Sequence, residues 1–235
     1  MHNRWSNLYK SSGIASHAVA ILLIGEIFVY ALIPDRSMPK EIFALFQESS
    51  LAGLLFFDLL GLISYLLYIP LIISFYVALR RYSESIMAVA TVLFFLGIAV
   101  FFASNTGFSV LSLSRQYEIA KTQEEREILL AACQTMITLF DVNAFMVSYV
   151  MVSAAWTMIA FVMLRSPFFS RITAYTGILA GLSGILAEIL ENISEVFVMI
   201  AISFYFTAIV FLIIWVVLSG RQLYQFGINQ SHADS

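Results

Sequence analysis

The chain has 235 residues, 61% hydrophobic and only 11% charged, with a mean hydropathy of +0.91. A soluble domain carries roughly 25% charged residues, so a water-soluble fold of this size would expose apolar surface that only a bilayer can accept. A net charge of −3 with no basic run excludes a nucleic-acid partner. The lone Cys133 excludes an intramolecular disulfide and a cysteine-built zinc or iron–sulfur site within one chain, and reads as a small packing residue.

A spanning helix needs about 20 mostly apolar residues. Six stretches qualify, at about 12–33, 51–79, 85–108, 136–164, 172–191 and 196–218. The fold class that follows is all-α: a polytopic transmembrane helical bundle forming a single membrane domain. The first stretch follows Arg4 and Lys10 as a signal peptide would. It is too long for one, Glu26 interrupts it, and no small-x-small cleavage site follows, so a retained helix is expected. Beyond it, Pro39–Gln47 (PKEIFALFQ) reads as a short helix whose Ile42, Phe43, Leu45 and Phe46 would lie on the membrane surface. The second stretch contains Pro70, where a kink is expected. The third is followed by an external, polar but helix-patterned segment at about 109–135. Within it Thr122 and Glu125 fit a capping box, with Glu124 and Glu127 in the same first turn, so a new helix should start there and run into the fourth stretch.

Orientation follows from the short loops. Arg4, Lys10, Arg80, Arg81, Arg165, Arg171 and Arg221 fall on one side, beside only Glu84 and Asp234. Arg36, Lys40, Arg115, Lys121 and Arg126 fall on the other, among most of the acids. The basic side, with both termini, is assigned to the cytoplasm.

The second and fourth stretches share an order of features. Phe57-Asp58, Ser64-Tyr65 and Leu79-Arg80 match Phe140-Asp141, Ser148-Tyr149 and Leu164-Arg165, with spacings that agree to within one residue. Ala18-Val19-Ala20 likewise matches Ala88-Val89-Ala90. A repeated helical hairpin would produce this, as would chance in a Phe/Leu/Ala-rich alphabet. In the fifth stretch Gly177, Gly181 and Gly184 recur at helical spacing and read as a close-packing face.

Ionisable groups in hydrocarbon cost about 2.5–3.5 kcal/mol even on lenient scales, so they are rare there and face inward. Four occur here: Glu26, Asp58, Asp141 and Glu188. At 1.5 Å per residue each sits about 5–10 Å from the outer end of its helix, and Asn105 and Asn143 lie at similar heights. No Lys or Arg lies within a span to neutralise them. They are therefore protonated, hydrogen-bonded, wet, or bound to a cation. One reading makes them ordinary paired groups that hold helices together, with Glu188 near Glu191 and Glu195 in the headgroup region. The other makes them, with Asn105 and Asn143, the lining of an outward cavity for a proton, a metal ion or a cationic ligand.

Enzyme signatures are scarce. His2, His17 and His232 are the only histidines, and no His-x-x-x-His pair exists, which argues against a zinc protease or a di-iron site. A bis-histidine haem is excluded within one chain, axial ligation by His17 with a Met being the residual option, and no cofactor is predicted. No nucleophile elbow, P-loop or dinucleotide fingerprint occurs. A carboxylate-only intramembrane hydrolase would rely on Asp58 and Asp141.

FFDLL at 56–60, YIPL at 68–71, FFASN at 101–105 and VMLRSPFFSRITAYTGILAG at 162–181 resemble a family of uncharacterised bacterial membrane proteins grouped as a domain of unknown function. The resemblance runs from about Gly13 to Leu218 and implies a six-helix unit in the bacterial cytoplasmic membrane, with no reaction or ligand attached. FDVNAF at 140–145 departs from that family's glycine-containing form, and Asn143 adds a polar group there. Three functions stay open: a small binding, transport or sensing module using the acids; an accessory subunit, homo- or hetero-oligomeric, acting through the 109–135 segment and the glycine face; and an intramembrane enzyme.

Overall fold

A computed structural model describes residues 5–32 and 38–232. His2, Arg4, Ile33, Arg36 and Asp234 lie outside the described residues, as do the side chains of Glu195 and His232. Among the described residues every regular element is helical. Six helices are long and apolar enough to cross a membrane: Ser6–Leu32, Leu59–Leu79, Glu84–Ile119, Gln123–Met163, Arg171–Ile193 and Val198–Asn229. The protein is a multi-pass membrane protein.

The elements in chain order are α1 (Ser6–Leu32), α2 (Pro39–Glu48), α3 (Ser50–Phe56), α4 (Leu59–Leu79), α5 (Glu84–Ser104), α6 (Gly107–Ile119) and α7 (Gln123–Leu139). A π-helical stretch (Phe140–Val147) leads into α8 (Ser148–Met163), followed by α9 (Arg171–Ile193) and α10 (Val198–His232). α1 begins six residues before the apolar run read from sequence, and α10 continues past Leu218, because polar helix ends project beyond the apolar window.

The second stretch is not one helix. Asp58 adopts a left-handed conformation (φ 56°, ψ 49°) that separates α3 from α4. Its carboxylate then accepts the Gly61 N–H at 3.0 Å, capping the new helix. The break also frees the Phe57 carbonyl, which takes a hydrogen bond from Asn105 Nδ2 at 2.7 Å. The same asparagine accepts the Gly107 N–H at 3.2 Å through Oδ1, bridging the break between α5 and α6. A single side chain thus satisfies backbone groups at two chain breaks.

α2 does form, and its apolar face is covered by protein. Ile42 and Phe43 are fully buried and Leu45 and Phe46 nearly so, packed against α3, α6 and α7. Ser114 Oγ donates to the Phe43 carbonyl at 3.2 Å. The apolar face found a protein partner because the 107–139 segment folds as two helices that cover it. The capping box at α7 is complete: Thr122 Oγ1 accepts the Glu125 N–H at 3.1 Å, and Glu125 accepts the Thr122 N–H at 3.2 Å.

The six long helices close into a ring. α1 packs on α4 and α10, α9 on α10 and α8, and α5 on α8 and α4. Small residues set the seams. Along α9, Gly177 faces Ala160 and Trp215, Gly181 faces Thr157 and the Ser153 carbonyl, and Gly184 faces Ser153 and Tyr149. Between α1 and α10, Ser6 Oγ donates to the Gly227 carbonyl at 2.8 Å and Gly220 abuts Ser16. α4 runs through Pro70, whose carbonyl accepts the Ser12 hydroxyl at 2.8 Å.

Candidate functional site

The ring encloses a cavity of about 830 Å³ that reaches from Tyr30, Asp58, Asp141 and Asn192 inward to Trp156 and Leu212. The end it occupies is the one where α1 finishes and α4 begins. Small-molecule sites measure roughly 300–1,000 Å³.

Glu26, Asp58, Asp141 and Glu188 all line this one cavity. They come from four separate elements: α1, the α3–α4 break, the π-helical stretch and α9. Glu26 Oε1 accepts the Ser64 hydroxyl at 3.3 Å, and Asp58 is occupied by the Gly61 cap. Gly61 has to be glycine, because a Cβ there would meet the Asp58 carboxylate. Glu188 is 3% exposed. Tyr205 lies against it while donating to Glu191 at 2.6 Å. Glu26 is a neighbour of Asp58, and Glu188 of Glu191. Among the described residues that line the cavity there is no Lys, Arg or His. Among the described residues no three His, Cys, Asp or Glu side chains are grouped closely enough to hold a metal ion. The acids surround the void without converging on a point.

Asn105 and Asn143 stand outside the lining. Asn105 is spent on the two chain breaks, while Asn143 is half-buried in the π-helical stretch. Gly177, Gly181 and Gly184 serve the α8–α9 seam.

The sequence reading overlooked the aromatic wall. Tyr65, Tyr68, Trp156, Tyr149 and Tyr205 form a continuous belt from α4 across α8 to α10. Successive ring centroids lie 6.3, 5.7, 6.4 and 6.3 Å apart. A signal for it was present in the matched features of the second and fourth stretches. Asp58 precedes Tyr65 by seven positions and Asp141 precedes Tyr149 by eight. The π-helical stretch between Asp141 and Tyr149 absorbs one additional residue. The two Asp–Tyr pairs therefore line the same cavity from the two helices that flank α5 in the ring.

Tyr68 and Trp156 of the wall each carry a polar atom that is buried within the protein rather than open to the cavity. The Tyr68 hydroxyl and the Trp156 indole N–H have no hydrogen-bond partner among the described residues, although the side chains are 2% and 3% exposed. A buried donor without an acceptor costs about 1–3 kcal/mol.

No curated protein and no solved structure matches the chain. The family resemblance read from the sequence holds: the model of a domain of unknown function, DUF4386, matches residues 13–220, nearly the whole length, and the chain belongs to that family.

Proposed function

We propose that the protein is a small binding, transport or sensing module of the bacterial cytoplasmic membrane, whose cavity takes a positively charged ligand. The observation that carries this reading is the lining of one cavity by five acids from four elements, Glu191 beside the four read from the sequence, with no basic side chain among the described lining residues. Each acid in hydrocarbon costs several kcal/mol unless neutralised. A bound cation neutralises one of these carboxylates, and the others are met by protons and by hydrogen bonds such as those from Ser64, Gly61 and Tyr205. With the basic loops and both termini assigned to the cytoplasm, the cavity opens toward the outside of the cell.

A second reading, the accessory subunit, is favoured by one observation. Residues 123–128, the first turns of α7, are exposed throughout and form a polar surface on the outer layer. Its other proposed surface is occupied, since the glycines of α9 already face α8 and Trp215.

The test is thermal unfolding of the detergent-purified chain with inorganic and organic cations, wild type beside Asp58→Asn. A ligand that binds only the folded state adds about 2.7 kcal/mol at a hundred times its dissociation constant. At least one cation should raise the unfolding temperature of wild type and do so far less in the variant. If no cation acts on either protein while a stoichiometric partner copurifies, the accessory reading replaces this one.

A further inference from the structure

The end of the ring opposite the cavity mouth carries the basic loops. The α4–α5 loop holds Arg80 and Arg81, and the α8–α9 loop holds Arg165. All three are exposed, and each lies within two residues of the end of its helix, about 3 Å along the axis. α4 has 21 residues and is about 30 Å long, which matches the hydrocarbon thickness. Its end therefore falls at the level of the lipid headgroups.

These arginines meet rings, not carboxylates. The Arg81 guanidinium lies 4.3 Å from the centroid of Phe168 and 4.9 Å from that of Tyr82. Arg80 lies 5.9 Å from Tyr76, and Arg165 lies 5.7 Å from Phe161. Among the described residues none of the three has a hydrogen-bond or ion-pair partner. Phe168 also meets Phe226 at 4.6 Å, and Phe226 meets Tyr9 at 5.0 Å, so Arg81 rests on an aromatic base built by α1, α10 and the α8–α9 loop. A guanidinium stacked on rings is held in plane while its N–H edge stays unspent, and that edge matches two oxygens of a phosphate.

Arg80 stands at the end of an apolar ridge. Ile63 and Leu66 of α4 are exposed, and Leu66 precedes Arg80 by fourteen positions, close to four helical turns. The ridge that faces the acyl chains thus leads to Arg80 at headgroup level. We propose that Arg80 and Arg81 form a docking site for the phosphate of an anionic phospholipid in the leaflet at this end, with its acyl chains along Ile63 and Leu66. Arg165 adds positive charge from the neighbouring loop. The site is separate from the cavity and independent of what fills it. A free phosphate offers the same oxygens but nothing for the ridge, and a zwitterionic lipid carries its own cation beside the phosphate. Diffuse attraction to a basic surface treats lysine and arginine alike, at about fivefold per charge, whereas a stacked fork does not.

The test is equilibrium binding of the detergent-purified full chain to phosphatidylglycerol in mixed micelles, beside phosphatidylcholine with the same chains and inorganic phosphate. Wild type should bind phosphatidylglycerol at least tenfold more tightly than either. Arg81→Lys should weaken that binding about fivefold, as much as Arg81→Gln, and Arg80→Gln should do likewise. Arg126→Gln removes an exposed arginine that lies over Tyr117 at the opposite end, and should change nothing. All these variants replace exposed side chains, so their unfolding temperatures should match wild type. If phosphatidylcholine binds as tightly as phosphatidylglycerol, or Arg81→Lys binds like wild type, the docking site is wrong. If inorganic phosphate binds as tightly as phosphatidylglycerol, the occupant is a soluble phosphate and the lipid is wrong.

Discussion

Asp58 holds two positions that substitution can separate: it is a left-handed residue that divides a helix, and it is a carboxylate in an apolar membrane segment. Asparagine tolerates the left-handed region and keeps the oxygen that caps Gly61, so Asp58→Asn should be at least as stable as wild type. Glycine adopts the backbone freely and loses only the side-chain cap, which costs a few tenths of a kcal/mol. Alanine loses the cap, about 1 kcal/mol, and pays about 1–2 kcal/mol for the left-handed conformation. Together Asp58→Ala should cost about 2–3 kcal/mol. At roughly 2–4 °C per kcal/mol for a chain of this length, its apparent unfolding temperature should fall by about 4–12 °C. The assay is thermal unfolding of the three variants side by side in one detergent. The expected order is asparagine and wild type at the top, glycine just below, alanine lowest. Alanine as stable as glycine would refute the assignment of Asp58 as a strained cap.

Gly181→Ala would push a methyl into Thr157 and to 2.6 Å from the Ser153 carbonyl, and Gly177→Ala would meet Ala160 at 2.7 Å; each should cost about 1–3 kcal/mol in the same assay. Gly25→Ala is the contrast: its methyl meets only the end of Leu60 at 3.3 Å, so gained helix propensity of about 1 kcal/mol should leave stability unchanged or raised. Thr122→Ala removes the side-chain half of the α7 capping box, the acceptor for the Glu125 N–H, and keeps the backbone N–H that donates to Glu125; it should cost about 1 kcal/mol, seen as faster amide exchange over residues 123–126. Phe43→Ala empties a fully buried site under the outer layer and should cost about 3–5 kcal/mol, with protease cleavage appearing in α2; a surface-lying helix would show neither effect.

Much of the architecture is legible because bilayer thickness and backbone satisfaction leave few options to apolar stretches of this length. The capping box at Thr122 was readable for a local reason: both partners lie within one turn. The division at Asp58 was not readable, because hydropathy runs unbroken from Leu51 to Leu79 and the break is set by Phe57 and Asn105, nearly fifty residues apart. The fate of α2 was hidden in the same way, since whether Ile42 and Phe43 meet lipid or protein depends on where α6 and α7 fold. For the site, burial cost pointed to the four acids one at a time. Their meeting in one cavity depends on the closure of the ring, which no local pattern encodes. Asn105 looked equivalent by depth yet faces the chain breaks. The aromatic belt was overlooked because tyrosine and tryptophan are ordinary packing residues in membrane helices, and only the closed ring brings them together along one cavity.

The central claim is that four acids act on one occupant. Its most direct measurement is the affinity of the cation that most stabilises wild type for wild type and for Glu26→Gln, Asp58→Asn, Asp141→Asn and Glu188→Gln, each in the full chain in nanodiscs. Every variant should bind several-fold more weakly than wild type, including Glu26 and Glu188, which lie on helices α1 and α9 and reach the site from different sides. Binding that is unchanged in all four, with the variants folded, would contradict the account and leave the acids as structural groups that happen to border a void.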